Sequence, residues 1–241
     1  MSLSQVVLQA LPPDTPENCA TRDKMMWKWL EDWPNMARYA EADKQAETLP
    51  ADQRTVVFMG DSITDGWNLA KYFPGKPYVN RGISAQTTPQ MLLRFRPDVI
   101  NLKPKVVVIL AGTNDIAGNT GPLTLKEIED NYESMADLAR ANHVAVVFSS
   151  VTPVSNYVPT KIRFFNERPM AEIKQLNEWL QTYTREHHYV YLDYYSHMVD
   201  DHGMLRKDIS EDGLHPNDAG YRIMAPLAEK AIAEAMAHQK S

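Results

Sequence analysis

A doubly wound α/β sandwich, a parallel sheet with helices on both faces, is the fold the sequence predicts. Five short runs rich in Val and Ile recur along the chain, they are apolar throughout rather than alternating, and stretches with helical spacing lie between them. A strand that is apolar on both sides is one covered on both faces, as in a parallel sheet. With 241 residues, 44% of them hydrophobic, the chain can bury one sizeable core and is short for two full domains.

Taken in order, residues 1–50 stand outside the alternation. MMWKWLEDW at 25–33 reads as a helical arm that packs aromatic rings over the main domain, leaving 51–241 as the domain proper. TVVFM (55–59) is the first strand, YVNRG (78–82) a weaker second and VVVILAG (106–112) the third. From Thr124 to Asn142, the residues Ile128, Met135, Leu138 and Ala139 fall at helical spacing, and Thr124 with Glu127 forms a capping box. VAVVFSS (144–150) is the fourth strand, followed by a Pro-containing connection, 151–169, long enough to suggest a functional loop. A helix from about Met170 to His187 carries Ile173, Leu176, Leu180 and Tyr183, and YVYLD (189–193) is the fifth strand. The last helix runs from about Pro216 towards His238, with Pro216 in its first turn and Pro226 kinking it.

Composition excludes several classes. A formal charge of −6, with Lys and Arg scattered rather than clustered, gives no basic field for nucleic acid. The longest apolar runs, such as VVVIL at 106–110, fall far short of the roughly 20 residues that span a bilayer, so a soluble protein is expected. The single Cys19 allows neither an internal disulfide nor a cysteine-rich metal site. Asp200, Asp201, His202, Asp208, Asp212 and His215 crowd one stretch, but without a zinc spacing such as H-E-x-x-H, and read as a solvated acidic loop. No metal or cofactor is expected. The opening MSLSQVVLQALPP lacks the basic and apolar regions of an export signal; a secreted or periplasmic location stays open if such a signal has been removed. The sequence sets no oligomeric state.

Polar or Gly-rich residues end the strands: Gly60-Asp61-Ser62, Asn80-Arg81-Gly82, Gly112-Thr113-Asn114-Asp115, and DISEDGLHPNDAGY (208–221) after the last. In a parallel sheet these ends meet at one edge. There they hold the parts of an acyl-transfer site. Ser62 can attack a carbonyl if a base takes its proton, His215 is an imidazole suited to that, and Asp212 is placed to hold the ring. The backbone N–H groups of Ser62 and Gly82 and the side-chain amide of Asn114 are candidate donors to an oxyanion. Asp61 is expected to brace its turn by hydrogen bonding, because a second charge beside the nucleophile would oppose the developing anion.

The set GDSIT, NRGISAQTT, GTND and DGLHPNDAGY resembles the blocks of the SGNH hydrolases, also called the GDSL esterase and lipase family, over about residues 55–235. The family's Leu after the serine is Ile63 here, an apolar exchange. The resemblance implies a flavodoxin-like three-layer α/β/α sandwich with about five parallel strands. It also implies Ser62 as nucleophile, Asp212 and His215 as the rest of the triad, and an oxyanion hole of Ser62, Gly82 and Asn114.

The family's substrates are diverse. With no long apolar lid segment in the chain, short acyl esters are expected, acetyl esters of carbohydrates above others, with Trp67, Tyr157, Phe164 and Phe165 as a shallow aromatic platform for the sugar. The alternatives are a lysophospholipase, arylesterase or thioesterase using the same triad. A non-catalytic binding module is disfavoured because Ser62, Gly82, Asn114, Asp212 and His215 are all present.

Overall fold

The five apolar runs become β1 (Val56–Gly60), β2 (Tyr78–Gly82), β3 (Val106–Leu110), β4 (Ala145–Ser149) and β5 (Val190–Leu192). All pair in parallel, in the order β2-β1-β3-β4-β5. The computed structural model of the chain describes residues 16–239, so the stretch read for an export signal lies outside the described residues.

Side-chain parity along the strands divides the interior in two. Val57, Met59, Val107, Ile109, Val146 and Phe148 enter one core, and their neighbours Val56, Phe58, Val106, Val108 and Val147 enter the other. Period-two alternation with both faces apolar is what makes the strands read as unbroken hydrophobic runs. The result is the expected three-layer α/β/α sandwich.

The helices, in chain order, begin with α1 (Pro16–Glu31) and α2 (Ala40–Thr48) in the N-terminal arm, then α3 (Ser62–Asp65), a single turn after β1. Next come α4 (Thr88–Phe95), α5 (Leu125–Ala141), α6 (Met170–Glu186) and α7 (Asp218–His238). Helices α4, α5 and α6 cover the first core with Met91, Phe95, Ile128, Met135, Ile173 and Leu176. Helix α7 covers the second with Met224, Ala228, Ala231 and Ile232. The Thr124–Glu127 capping box is present. Helix α4, which the hydrophobic pattern did not announce, is started by another, in which the Gln90 side chain accepts from the Thr87 amide.

Pro226 lies inside α7, as read, and two local outcomes differ from expectation. Pro216 is not in the first turn of the last helix, because Asn217 takes the cap: its Oδ1 accepts from the amides of Ala219 and Gly220. In α1, Met26, Trp27 and Leu30 are exposed by 55%, 64% and 74% rather than laid on the domain. The arm docks through polar bonds further along: Gln90 Nε2 donates to Trp33 O, Gln86 Nε2 to Pro34 O, and Arg81 pairs with Asp43. Among the described residues, no helix is long and apolar enough to cross a membrane.

Candidate active site

In a sheet of order 2-1-3-4-5, the direction in which successive strands are added reverses between β1 and β3, and a crevice opens at their carboxyl ends. Gly60 and Leu110 are register partners, so the residues after both strands leave the sheet at one level. Ser62 follows one strand and Asn114 the other. The turn into Ser62 needs glycine, since a Cβ on Gly60 would lie 2.2 Å from Thr64 Oγ1 and 2.8 Å from the Leu110 carbonyl.

Five bonds hold that turn. Asp61 Oδ1 accepts from the Ile63 amide at 2.9 Å, the bracing role read for it. Asn80 Nδ2 donates to the carbonyls of Thr64 and Trp67, Tyr221 Oη to that of Ile63 at 2.8 Å, and Arg94 Nη2 to that of Gly60 at 3.1 Å. Asp65 accepts from the Ser84 amide and hydroxyl, joining the nucleophile turn to the loop after β2.

His215 reaches Ser62 from a loop that folds back across the carboxyl edge. Ser155 N donates to Gly213 O at 2.8 Å and Tyr157 Oη to Ser210 O at 2.8 Å, tying that loop to the one after β4. Ser62 Oγ lies 2.9 Å from His215 Nε2, and His215 Nδ1 lies 2.7 Å from Asp212 Oδ2. Asp212 Oδ1 accepts from the amides of Leu214 and His215, which fixes the carboxylate before it meets the ring. Burial raises the Asp212 carboxyl, but the hydrogen bonds from the His215 ring and from the two amides outweigh it and hold the pKa below the ordinary value.

Opposite the histidine, Asn114 is buried. Its Nδ2 donates one hydrogen to Gln86 O at 3.0 Å, leaving the second for another acceptor. Its Oδ1 accepts from Arg168 Nη2 at 3.1 Å; Arg168 also donates from Nε to Thr113 Oγ1 and from Nη1 to Phe164 O. Arg168 was not singled out by sequence reasoning. Its place in the long 151–169 connection was the one available signal.

Gly82 departs from the expected oxyanion role. Its N–H donates to Asn80 Oδ1 at 2.8 Å, so that hydrogen is already engaged. Glycine is needed there for packing: a Cβ would fall 2.1 Å from Asp65 N. Three residues on, Ala85 has φ +67°, a left-handed backbone uncommon for alanine, and its N–H makes no hydrogen bond among the described residues. It lies between Ser84, which lines the Ser62 pocket, and Gln86, whose carbonyl meets Asn114.

Two carboxyls beneath the site are buried. Asp61 and Asp115 are each pushed up to about 6 by burial, against the lowering effect of their bonds from the Ile63 amide and from Thr88. Each has one oxygen with no partner among the described residues.

The aromatic platform does not form as a unit. Trp67 is 3% exposed and sits in the core beneath the sheet edge, stacked on Tyr221 and edge-on to Phe58, so it is not available to a sugar. Phe164 is half-buried and meets the His215 ring edge-on, centroids 5.9 Å apart. Tyr157 and Phe165 are half-buried, the first bonded to Ser210 and the second packed on the first core. Ser62, Asp65, Gly66, Ser84, His215 and Tyr221 line an open pocket of about 500 Å³. In the acidic stretch, Asp200 Oδ1 accepts from two backbone amides and Asp208 pairs with Arg206; among the described residues no three His, Cys, Asp or Glu are grouped to hold a metal ion.

Comparison with known proteins follows the same lines. The model of the GDSL-like Lipase/Acylhydrolase family matches residues 58–223. The chain is similar to a GDSL-like lipase from Bacteroides thetaiotaomicron of known structure, 38% identical with a TM-score of 0.76, over 84% of this chain and 98% of that one. It is 32% identical over 133 residues to Esterase TesA of Pseudomonas aeruginosa, 49% of this chain and 65% of that protein. With an acetylxylan esterase of Xylanibacter ruminicola it shares 27% identity over 233 residues, 84% of this chain and 47% of that protein. The matches thus span about half to two thirds of the length of these two curated relatives.

Proposed function

The chain belongs to the GDSL-like lipase/acylhydrolase family, and from that premise we propose that it is a serine ester hydrolase removing short acyl groups, acetyl above others, from carbohydrate esters. The observation that carries the reading is the hydrogen-bonded chain from Ser62 Oγ through His215 to Asp212. Ser62 Oγ attacks the ester carbonyl while His215 Nε2 takes its proton. Asp212 stabilises the imidazolium by accepting from Nδ1, and the carbonyl oxygen becomes an anion. That anion is received by the Ser62 N–H, the second Asn114 Nδ2 hydrogen and the Ala85 N–H, the last replacing Gly82. Arg168 is a positioning residue that keeps the Asn114 amide turned so that its nitrogen faces the site. The intermediate expels the alcohol, which leaves with the proton from His215. Water then attacks the acyl-enzyme with His215 again as base, releasing the acid and restoring Ser62.

The short-chain assignment rests on the open form of the Ser62 pocket, whose walls, Ser62, Asp65, Ser84, His215 and Tyr221 among them, include no run of aliphatic side chains to hold a long acyl chain. The acetylxylan esterase relative adds weight to acetyl esters of carbohydrates. Hydrolysis of 4-nitrophenyl esters from acetate to dodecanoate, with Ser62→Ala as control, tests the reading. Activity highest on acetate and lost in the variant is the expected result. Activity climbing with chain length would transfer the assignment to lipid esters or thioesters.

A further inference from the structure

Beside the Ser62 pocket, and sharing Ser84 with it as a wall, lies a cavity of about 420 Å³ between the N-terminal arm and the loop after β2. That volume falls within the roughly 300–1,000 Å³ of small-ligand sites. Arm residues 32–35 form one side, and Ile83 to Gln86 with Asn119 and Thr120 form the other. The wall is built rather than draped: Gln86 Nε2 holds the Pro34 carbonyl at 2.6 Å and Gln90 Nε2 the Trp33 carbonyl at 2.7 Å.

The lining selects a ligand class. No Lys or Arg contributes to it, and the one carboxylate, Asp32, is occupied on both oxygens by the amides of Met36 and Ala37. A phosphate or carboxylate group would find no counter-charge here. Seven of the ten lining residues are polar, yet most of the surface they present is apolar, a mixture that suits the face of a ring edged with hydroxyl groups. Among the described residues, the Trp33 indole N–H, the Asn35 side chain and Asn119 Oδ1 make no hydrogen bond. An indole face flanked by amide donors and acceptors suits a neutral ring carrying hydroxyl groups.

We propose that this cavity is a sugar subsite: when an ester-bearing sugar presents its acyl group to Ser62, the next unit of the glycan chain rests between Trp33, Asn35 and Asn119. The assignment rests on the carbohydrate-ester reading above and gives the arm its part in the reaction, as a wall for substrate binding. Specificity for oligosaccharides over a single sugar follows from it.

The test compares kcat/KM on acetylated xylotriose and on an acetylated methyl xyloside, in the wild type and in Asn35→Gly and Trp33→Ala. Asn35 has φ 55°, a left-handed backbone that glycine accepts, so Asn35→Gly removes the amide without straining the arm. The expected result is a fall of about tenfold or more in the trisaccharide-to-monosaccharide ratio, carried by KM, with Trp33→Phe recovering part of it. Calorimetric titration of Ser62→Ala with unacetylated xylotriose gives a second readout, in which binding heat is lost on adding Asn35→Gly. An unchanged ratio with both sugars hydrolysed overturns the subsite and leaves the carbohydrate reading standing. Cleavage of 4-nitrophenyl acetate with neither sugar hydrolysed overturns both.

Discussion

On one side of Ser62, Asp212 and His215 stand three residues apart in one loop and bond to each other directly. On the other side, Asn114 is turned by Arg168, 54 residues later, and by the Gln86 carbonyl, 28 residues earlier. The first arrangement is a local turn whose geometry the chain sets almost by itself. The second is assembled from loops that meet only when β1 pairs in register with β2 and β3, and β3 with β4. Faults in remote packing should therefore reach the oxyanion side sooner than the triad side.

The largest expected effect is on the triad. Ser62→Ala and His215→Ala should each remove turnover by about 10⁴-fold or more, and the double variant should be no worse, because the two act as a unit. Circular dichroism should be unchanged; loss of structure in both would make them structural. Next, Asn114→Ala should lower kcat by about 10²–10³ with little change in KM. Arg168→Met should lose less, about tenfold to a hundredfold, through misplacement of the same amide. Combined with Asn114→Ala it should add nothing, and additive losses would break the link between the two residues.

Smaller effects separate Gly82 from Ala85. Gly82→Ala should destabilise the protein by about 1–3 kcal/mol in chemical denaturation, because its Cβ meets the Asp65 backbone. Ala85→Gly keeps the N–H and relieves a left-handed alanine, so stability should rise by up to about 1 kcal/mol with turnover retained. A turnover loss in Ala85→Gly as large as that in Asn114→Ala would count against this backbone position as a relaxed donor.

The carboxylates Asp212 and Asp115 are shifted in opposite directions. Asp212 has its folded pKa lowered, so its contribution to stability is complete above the ordinary carboxyl pKa and fades as pH falls through the lower folded value. Asp115 is raised to about 6, so the native state binds more protons than the unfolded chain between about pH 4 and 6. Its contribution is greatest below that window and is lost as pH rises through it. Asp115→Asn should flatten the decline in melting temperature from pH 4 to 6, leaving the shares due to Asp61, also raised to about 6, and to Asp98, which burial raises as well. An unchanged slope would mean that Asp115 is not among the titrating groups.

The legible parts of the site are those with short sequence spacing. Asp212 and His215 lie in one loop, Asp61 caps the turn that carries Ser62, and the strand ends are marked by abrupt changes from Val and Ile to Gly, Asp and Ser. Gly82 and Trp67 show the limit of that reading. Both stand beside chemistry in the sequence, yet one spends its N–H on Asn80 and the other packs its ring against Tyr221, because nearby residues from other elements compete for the same groups. Ala85 lay unremarked inside the NRGISAQTT block, and Arg168 carried no motif of its own. Their places became visible only through a left-handed backbone angle and a set of bonds from one guanidinium to three distant residues.

By itself the sequence determined the strands, their burial on both faces, the main helices and the order of the polar strand ends, because hydrophobic periodicity and local turn chemistry act over a few residues. The tertiary structure alone decided that the Gly82 N–H is engaged while the Ala85 N–H is left over, that Arg168 bonds Asn114, and that the arm walls a cavity beside Ser62. Those outcomes depend on which hydrogen-bond partner reaches a group first once distant segments are packed together, and no local pattern encodes that competition.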